Sequence, residues 1–197
     1  MTDRVVLATH NPHKVEEFRH IVQATRPDLT VIGYDGPEPV EDGVTFTENA
    51  LIKARAAAAH TGLPALADDS GICVDALGGA PGAFSAYWAG HKKDAAANTA
   101  LLLDQLADIA DPRRTAQFVS VIALVDSDTE HVVEGVWPGR LATEAAGDGG
   151  FGYDPVFVPD GQPEPARTVA QWSAAEKNAA SHRARAFVAL TELLRSL

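Results

Sequence analysis

Asp68 and Asp69 are the residues of this 197-residue sequence whose types and spacing point most directly to chemistry. They follow the apolar residues 63–67, which predict a short buried strand, and they precede Ser70 and Gly71. Adjacent carboxylates raise each other's pKa unless a cation lies nearby. Mg²⁺ commonly takes one or two carboxylates together with phosphate oxygens. We therefore predict an acidic turn that helps to bind Mg²⁺; an Asx turn that only ends the strand is the structural alternative.

Glu41 is the second carboxylate that we assign to this metal. It lies in an acidic loop, residues 36–43, which also contains two prolines and two further acids. Two other hydrolase classes are poorly supported. A haloacid dehalogenase phosphatase needs Asp-x-Asp after its strand, whereas Asp68 and Asp69 are adjacent, and Ser70 lacks the Gly-x-Ser-x-Gly pattern of many serine hydrolases.

A polar loop near the N-terminus has the features of a phosphate-binding segment. A strand pattern at residues 5–8 precedes it, and helical spacing of Val15, Phe18 and Val22 follows it. A helix N-terminus exposes unpaired N–H groups and favours anions. The glycines of a Walker A motif are missing, so an ordinary strand-to-helix turn is the alternative. The candidate residues are Thr9, His10, Asn11, Pro12, His13 and Lys14.

Lys53 is predicted to add a second cation from a helix. Thr45 and Glu48 have the spacing of a capping box, which predicts a helix N-terminus at this point. Asn49, Lys53 and Ala57 follow at intervals of four residues and therefore share one helix face. A solvated surface lysine is the alternative interpretation.

Aromatic and cationic residues in the C-terminal third form a candidate base-binding set. Aromatic rings can stack on a nucleobase, and cationic donors suit carbonyl or phosphate oxygens. Buried structural aromatics and unrelated surface charges are the alternative. The set comprises Phe151, Gly152, Tyr153, Asp154, Lys177, His182 and Arg183.

Composition and charge exclude several classes of protein. Hydrophobic residues make up 46% of the chain, which is enough for a folded core. The formal net charge of -11 disfavours nucleic-acid binding. No apolar run approaches the roughly 20 residues that span a membrane. With Cys73 as its one cysteine, the chain cannot form an intramolecular disulfide, and we expect a cytoplasmic protein.

The order of predicted elements favours an α/β fold. Helix and strand patterns alternate at both ends, and the middle contains antiparallel strands with turns at residues 126–129 and 138–139. A surface loop is expected at residues 159–172, followed by a helix that a Ser173–Glu176 capping box begins. We predict one domain, residues 1–197, with a mixed twisted sheet, flanking helices and two lobes around a central substrate cleft.

Six collinear segments together resemble the inosine triphosphate pyrophosphatase family, the Ham1-like pyrophosphatases of non-canonical purine nucleoside triphosphates. The resemblance extends from Val5 to about Arg183, and no single segment would suffice. The segments are residues 8–14, 46–54, 67–71, 78–82, 151–155 and 181–183. In this sequence they read Ala-Thr-His-Asn-Pro-His-Lys, Phe-Thr-Glu-Asn-Ala-Leu-Ile-Lys-Ala, Ala-Asp-Asp-Ser-Gly, Gly-Gly-Ala-Pro-Gly, Phe-Gly-Tyr-Asp-Pro and Ser-His-Arg.

The resemblance implies a two-lobed homodimer that uses Mg²⁺ to hydrolyse ITP, dITP and XTP to the monophosphate and pyrophosphate. By the same resemblance, residues 9–14 hold the triphosphate and Glu41 and Asp69 serve the metal. Asp69 is then also the proton acceptor. Ser70 contacts substrate, and residues 151–154 with Lys177, His182 and Arg183 enclose the base.

Tyr87 departs from the pattern of this family, in which Ser-Ala-Arg is common where this chain has Ser-Ala-Tyr. The missing cation could weaken phosphate binding or alter a dimer contact, and Lys92 or Lys93 could compensate. Two other functions stay open from the sequence: a pyrophosphatase that prefers a different modified base, and a non-catalytic protein that binds nucleotides.

Overall fold

The fold was derived from a computed structural model that describes residues 3–196, without the side chains of His13 and Ser196. Within that range there are six strands and five α-helices. The strands are β1 (Arg4–Leu7), β2 (Thr30–Gly33), β3 (Ala65–Val74), β4 (Thr115–Val125), β5 (Glu130–Leu141) and β6 (Phe157–Pro159). The helices are α1 (Pro12–Thr25), α2 (Phe46–Thr61), α3 (Ala95–Gln105), α4 (Ala174–Ala180) and α5 (His182–Ser196). No helix within residues 3–196 is long and apolar enough to cross a membrane.

The strands form one mixed sheet in the order β2-β1-β3-β4-β5-β6. β1 pairs in parallel with both β2 and β3, whereas β5 and β6 are antiparallel. The predicted hairpin turn at residues 126–129 joins β4 to β5. In that turn the Asp126 carboxylate accepts hydrogen bonds from the N–H groups of Asp128 and Thr129, both at 2.8 Å. The prediction of an α/β fold with a mixed sheet and flanking helices is confirmed.

The chain divides into two compact units, and four elements run from one unit into the other. The first unit contains the described residues up to Asp69, Ser120–Gly135 and the residues from Ala186 onward. The second contains Ser70–Val119 and Val136–Arg185. β3, β4, β5 and α5 therefore each contribute to both units, and the boundary in β3 falls between Asp69 and Ser70.

Each unit has its own hydrophobic core. In the first, α1 and α5 pack against the strands, and the rings of Phe18 and Phe187 meet edge to face at 4.9 Å. In the second, Phe157 contacts both Phe118 and Trp137. Leu190 and Leu194 of α5 are buried in the first core.

Arg114 is a fully charged side chain buried in the second unit, only 2% exposed. Its guanidinium donates to four backbone carbonyl groups, at distances of 2.6 to 3.0 Å. These carbonyls belong to Leu106, Ile109, Leu141 and Ala142. The side chain thus ties the end of α3 to the end of β5, since backbone oxygens replace the water lost on burial.

The predicted capping boxes are present. The Thr45 hydroxyl accepts from the Glu48 N–H at 3.1 Å, and the Glu48 carboxylate accepts from the Thr45 N–H at 2.9 Å. Gly62 ends α2 in the left-handed conformation at φ 67°, which glycine adopts without strain. Ser173 and Glu176 form the same reciprocal pair at the start of α4.

Two local predictions were wrong, and a third holds for only part of its range. Asp68 and Asp69 lie inside the continuous strand β3 and not in a turn. Pro138 and Gly139 likewise lie inside β5. The expected surface loop at residues 159–172 begins with the last residue of β6 and contains a 3₁₀ turn, Val169–Gln171, of which the first two residues are buried.

Candidate active site

Asp68 and Asp69 each have a lysine partner from a different helix. Lys14 Nζ of α1 lies 2.9 and 2.7 Å from the two carboxylate oxygens of Asp68. Lys53 Nζ of α2 lies 3.2 Å from Oδ1 of Asp69 and 3.0 Å from Oε2 of Glu41. In the first unit, Lys53 thus contacts both carboxylates that the sequence assigned to the metal, whereas Lys14 contacts Asp68.

Asp69 has one oxygen with unused bonding capacity. Its Oδ2 is buried and has no hydrogen-bond partner among the described residues. Burial is the largest influence on this carboxyl group and raises its pKa, against the opposing effect of Lys53; Glu41 and Asp68 raise it further. A buried carboxylate with an elevated pKa and a free oxygen can take up a proton or accept a cation.

The same ion pair also affects the pKa of Lys53. Burial lowers the pKa of Lys53, but Asp69 and Glu41 together outweigh it, and the net result is a raised pKa. The pKa values of Lys53 and Asp69 are both raised. Lys53 faces two carboxylates, whereas Asp69 faces one lysine and two carboxylates of its own sign. Lys53 is therefore a permanent cation, and Asp69 is the group of this pair that can change its protonation.

A small cavity of about 140 Å³ lies beside these ion pairs in the first unit. Five of the predicted phosphate- and metal-binding residues line it, namely Thr9, His10, Lys14, Glu41 and Lys53. Its remaining lining residues are Ala8, Tyr34, Glu38, Pro39 and Asp68. The described lining of this cavity is rich in polar groups and suits a charged ligand rather than an apolar one.

The loop between β1 and α1 leads directly into the N-terminus of α1. Pro12 occupies the first helical position, where its missing N–H is not needed. The Thr9 hydroxyl accepts from the Asn11 N–H at 3.2 Å. Asn11 and Pro12 are exposed and are not among the described lining of the cavity. The side chain of His13 lies outside the described part, and its assignment stays a prediction.

Asp69 and Glu41 together suit a small oxygen-seeking cation. Both carboxylates contact the same Lys53 ammonium, and Asp69 keeps a free buried oxygen. Two carboxylates with substrate oxygens are a common donor set for Mg²⁺. No group of three or more histidine, cysteine or acidic side chains is placed to hold a metal within the described residues. The donor set therefore fits a metal shared with phosphate, not one caged by protein.

The predicted base-binding residues lie together in the second unit. Ser70, Phe151, Gly152, Tyr153, Asp154, Lys177, His182 and Arg183 all line one cavity of about 360 Å³. That volume is typical of small-molecule sites. Sequence spacing could not show that residues as far apart as Ser70 and Arg183 meet; here Arg183 Nη2 donates to the Ser70 hydroxyl at 3.2 Å.

Phe151 offers an exposed ring beside two cations. Its side chain is 64% exposed, with Lys177 Nζ 4.1 Å and Arg183 Cζ 5.4 Å from the ring centroid. Lys177 also forms a very short ion pair with the buried Asp154. Arg183 Nε is buried without an acceptor among the described residues. The cavity thus combines a stacking surface with a donor that still needs an acceptor.

Close packing fixes the backbone around Asp154. The carboxylate accepts from the Phe151 N–H at 2.8 Å. Gly150 has φ 69°, and a Cβ there would lie 2.0 Å from Asp154 Oδ2. Glycine is therefore required at position 150 for two independent reasons, conformation and space.

Several residues of this cavity escaped sequence reasoning. The buried Ser85 accepts from the Ile72 N–H through its hydroxyl and from Tyr153 Oη, at 2.8 Å, through its carbonyl. Burial raises the pKa of Tyr153, which keeps this phenol a donor. Phe118 stacks on the His182 ring at 4.9 Å. Ser85 lay in a recognised segment but had no assigned partner, and Phe118 looked like an ordinary core residue of its strand.

Tyr87 is not among the described lining of either cavity. Its ring packs edge to face against Phe84 at 5.9 Å and stacks on His91 at 5.5 Å. Lys93 lines the second-unit cavity, whereas Lys92 is not among its described lining. Of the two lysines considered as replacements for the missing arginine, only Lys93 is placed beside the substrate-binding candidates.

Comparison with known proteins identifies similar sequences that span nearly the whole chain. The Ham1 family profile matches residues 5–193. A dITP/XTP pyrophosphatase of Leifsonia xyli subsp. xyli is 62% identical over 195 residues, covering 98% of this chain and 96% of the relative. A dITP/XTP pyrophosphatase of Mycobacterium tuberculosis is 52% identical over 202 residues, covering 100% of this chain and 98% of the relative.

Solved structures show the same fold. A HAM1 protein from Coxiella burnetii superposes with a TM-score of 0.89 at 40% identity, covering 98% of this chain and 99% of the other. A nucleoside-triphosphatase, named as a dITP/XTP pyrophosphatase, from Mycobacterium abscessus gives 0.83 at 48% identity, covering 95% and 98%. Since the family profile and these relatives each span nearly the whole sequence, the chain belongs to the Ham1 family.

Proposed function

We propose that this chain hydrolyses non-canonical purine nucleoside triphosphates, namely ITP, dITP and XTP, to the monophosphate and pyrophosphate. The observation that carries the proposal is Asp69, a partly buried carboxylate with one free oxygen, held by Lys53 beside a cavity at a helix N-terminus. The names of the relatives, dITP/XTP pyrophosphatases at 52–62% identity, support the same activity. Such an enzyme removes deaminated purines from the nucleotide pool.

The products define which bond breaks. A water oxygen adds to one phosphorus of the anhydride between the α- and β-phosphates, and the bridging P–O bond breaks. Asp69 accepts the proton from the water, and its raised pKa makes it a stronger base than an ordinary aspartate. Lys14 and Lys53 offset the charge that develops on the departing pyrophosphate.

The charge of the first-unit site explains why we propose Mg²⁺. Lys14 and Lys53 contribute two positive charges, whereas Glu38, Glu41, Asp68 and Asp69 contribute four negative ones. Without His10 these charges sum to −2, and a doubly protonated His10 would bring the sum to −1, so in either case the site would repel a triphosphate. Glu41 and Asp69 would hold Mg²⁺, which when bound supplies positive charge to the phosphate oxygens.

The second-unit cavity gives a physical reason for base selection. Hypoxanthine and xanthine present a carbonyl oxygen at position 6, where adenine presents an amino group. Arg183 Nε lacks an acceptor among the described residues, and Lys177 lies beside the same exposed ring. Donors of this kind pair with the carbonyl and stay unpaired against adenine, which supports strong discrimination.

Pyrophosphate release across a panel of nucleoside triphosphates, with and without Mg²⁺, tests the proposal. We expect ITP, dITP and XTP to exceed ATP in kcat/KM, and we expect turnover only with the metal. Equal kcat/KM on ITP and ATP would refute the selectivity argument. Tight ITP binding by calorimetry without pyrophosphate release would indicate a non-catalytic nucleotide-binding protein.

We also propose that the protein forms a homodimer and is located in the cytoplasm. Sedimentation at equilibrium measures the first, and fractionation of cells that produce the full chain measures the second. A monomer at all concentrations tested would contradict the dimer without affecting the proposed reaction.

A further inference from the structure

The acidic loop at residues 36–43 lacks regular secondary structure, yet it positions Glu41. Its first half is held by three hydrogen bonds from two side chains. Tyr34 Oη donates to the Pro37 carbonyl at 2.9 Å. His10 Nε2 lies 3.0 Å from the Gly36 carbonyl, and His10 Nδ1 lies 3.0 Å from Glu38 Oε1. His10 therefore makes two of the three contacts.

Both atoms that face the His10 ring are acceptors. A carbonyl oxygen and a carboxylate oxygen cannot donate, so each ring nitrogen must carry a proton for both bonds to exist. A neutral imidazole has one N–H and can make only one of them. We propose that His10 is a positioning residue whose doubly protonated ring fastens the acidic loop, and with it Glu41, to the loop between β1 and α1.

The surroundings of His10 fix the plane of its ring. Tyr34 stacks on it at 5.8 Å with an interplanar angle of 5°, and His60 packs edge to face on Tyr34. A Cβ at Gly36 would lie 2.4 Å from Tyr34 Oη and 2.7 Å from His60 Cδ2. The loop backbone therefore passes directly over this aromatic pair, and the ring has little freedom to find other partners.

The charges around His10 are mixed. Glu38 faces Nδ1 directly, and Tyr34 and His60 are the titratable groups on the stacked side. Lys14, Lys53, Glu41 and Asp68 line the same cavity, but these lysines and carboxylates already pair with each other or with Asp69. Glu38 is thus the one carboxylate among them that pairs with the imidazole.

Fastening this loop has a consequence for the metal, and only this consequence rests on the proposed function. Glu41 is three residues beyond Glu38 and is 44% exposed, with Lys53 as its ion-pair partner. A loop held at one end by His10 restricts where the Glu41 carboxylate can lie. Loss of the His10 bonds should therefore weaken metal binding more than it slows the chemical step.

Four variants of the full chain test the inference. His10→Phe keeps a ring that can stack on Tyr34 but removes both donors. His10→Gln places a donor near the Nε2 position, and His10→Asn places one near the Nδ1 position, so each can keep one bond at any pH. His60→Phe is the matched control, since His60 contacts the same tyrosine but forms no hydrogen bond to the loop within the described residues.

The first readout is NMR of the metal-free full chain, which does not depend on activity. At pH 6 we expect N–H signals from both His10 nitrogens, and loss of the Nδ1 signal in Glu38→Ala. The amide order parameters of Val40 and Glu41 should fall in His10→Phe and stay unchanged in His60→Phe.

The second readout is the Mg²⁺ concentration that gives half-maximal turnover. We expect it to rise about 3- to 10-fold in His10→Phe, as the loss of one or two partly exposed hydrogen bonds allows. His10→Gln and His10→Asn should lie between the two. A single ring N–H signal at pH 6, or unchanged order parameters in His10→Phe, would overturn the inference. If the NMR results are as expected while the wild type releases no pyrophosphate, the proposed function is refuted. The inference that His10 holds the acidic loop is then still supported.

Discussion

Asp69→Asn separates the chemical role of this carboxylate from its structural one. Asparagine keeps the shape of the side chain and can still accept from Lys53 Nζ, which lies 3.2 Å from Oδ1. It cannot take a proton from water. We therefore expect kcat to fall about 10²- to 10⁴-fold, the usual contribution of a general base. At about 1.36 kcal/mol per factor of ten, the barrier rises by roughly 3–5 kcal/mol.

The same substitution should not destabilise the fold. Burial raises the pKa of Asp69 above its ordinary value despite Lys53. A carboxyl group with a raised folded-state pKa stabilises the protein below its unfolded-state pKa, and this contribution is lost as the pH rises through the folded-state pKa. At pH 7 the ionised group therefore lowers the free energy of unfolding. Asp69→Asn should unfold at the same urea concentration as the wild type or at a higher one.

Asp68→Asn is the matched control on the neighbouring position of β3. The Asp68 side chain is only 7% exposed, and its two oxygens bind Lys14. Neutralising it leaves Lys14 without that ionic partner, and we expect a loss of about 1–3 kcal/mol, reduced because Lys14 is itself partly exposed. The two variants should therefore move the urea midpoint in different directions or by clearly different amounts.

The assays are steady-state pyrophosphate release and urea unfolding followed by fluorescence. The pH profile adds a third test, because a base must be ionised to act: kcat/KM should rise with pH through the elevated pKa of Asp69, above the ordinary range of an aspartate. Near-wild-type turnover in folded Asp69→Asn would refute the assignment of the base. A urea midpoint that falls as far as in Asp68→Asn would refute the burial argument.

Four further substitutions test other parts of the structure. Arg114→Lys should lower the free energy of unfolding by about 2–4 kcal/mol in chemical denaturation, because one ammonium cannot replace bonds to four carbonyls. Thr45→Ala should cost about 1 kcal/mol in the same assay through loss of the α2 cap. Gly71→Ala should lower Tm and cost about 1–3 kcal/mol, since the new Cβ would lie 2.3 Å from Ser85 Oγ. Phe151→Leu should raise KM for ITP roughly tenfold in steady-state kinetics, with stability within about 0.5 kcal/mol of the wild type, because an exposed stacking surface is lost.

Each of these expectations has a contrary outcome. A change below about 0.5 kcal/mol for Arg114→Lys would mean that the buried carbonyls find other donors. An unchanged midpoint for Thr45→Ala would mean that Glu48 alone caps the helix. Wild-type stability of Gly71→Ala would show that Ser85 moves freely, and an unchanged KM for Phe151→Leu would remove the ring from substrate binding.

Sequence patterns predicted the elements whose signals are local. The capping boxes of Thr45 with Glu48 and of Ser173 with Glu176, and the hairpin turn at residues 126–129, all depend on residues within a few positions of each other. The sheet overrode local preference at Asp68 and Asp69. Acids, serine and glycine are poor strand formers, but strand structure depends on neighbouring strands more than on intrinsic preference.

The error at Pro138 and Gly139 has a similar cause. β6 pairs with β5 from Gly139 to Leu141, so Pro138 lies just outside the segment of β5 that pairs with β6. A Cβ at Gly139 would lie 2.4 Å from the Val158 carbonyl oxygen. Glycine at this position permits a close approach between the two strands. The Pro-Gly pair resembles a turn signal in the sequence but lies within a strand.

The sequence suggested residues for the candidate site but not their pairing. Residue patterns and the family resemblance singled out Lys14, Lys53, Glu41 and Asp69, but no spacing could show that Lys53 contacts both acids while Lys14 binds Asp68. Those pairings depend on where two helices place their side chains. For the same reason, the contacts of Ser85 could be found only from the structure.

Lys53 gives the site an unusual relation to the salt around it. The Lys53 side chain is 16% exposed, and its ammonium group serves as a counter-ion that belongs to the chain. Dissolved salt screens exposed pairs such as Arg55–Glu130 but reaches partly buried ones much less. The charge balance inside the site is therefore set by covalent structure, whereas the repulsion that a net charge of -11 exerts on an approaching anion weakens as ionic strength rises. A change in salt concentration should therefore alter the rate at which a nucleotide reaches the site more than it alters the charge balance inside the site.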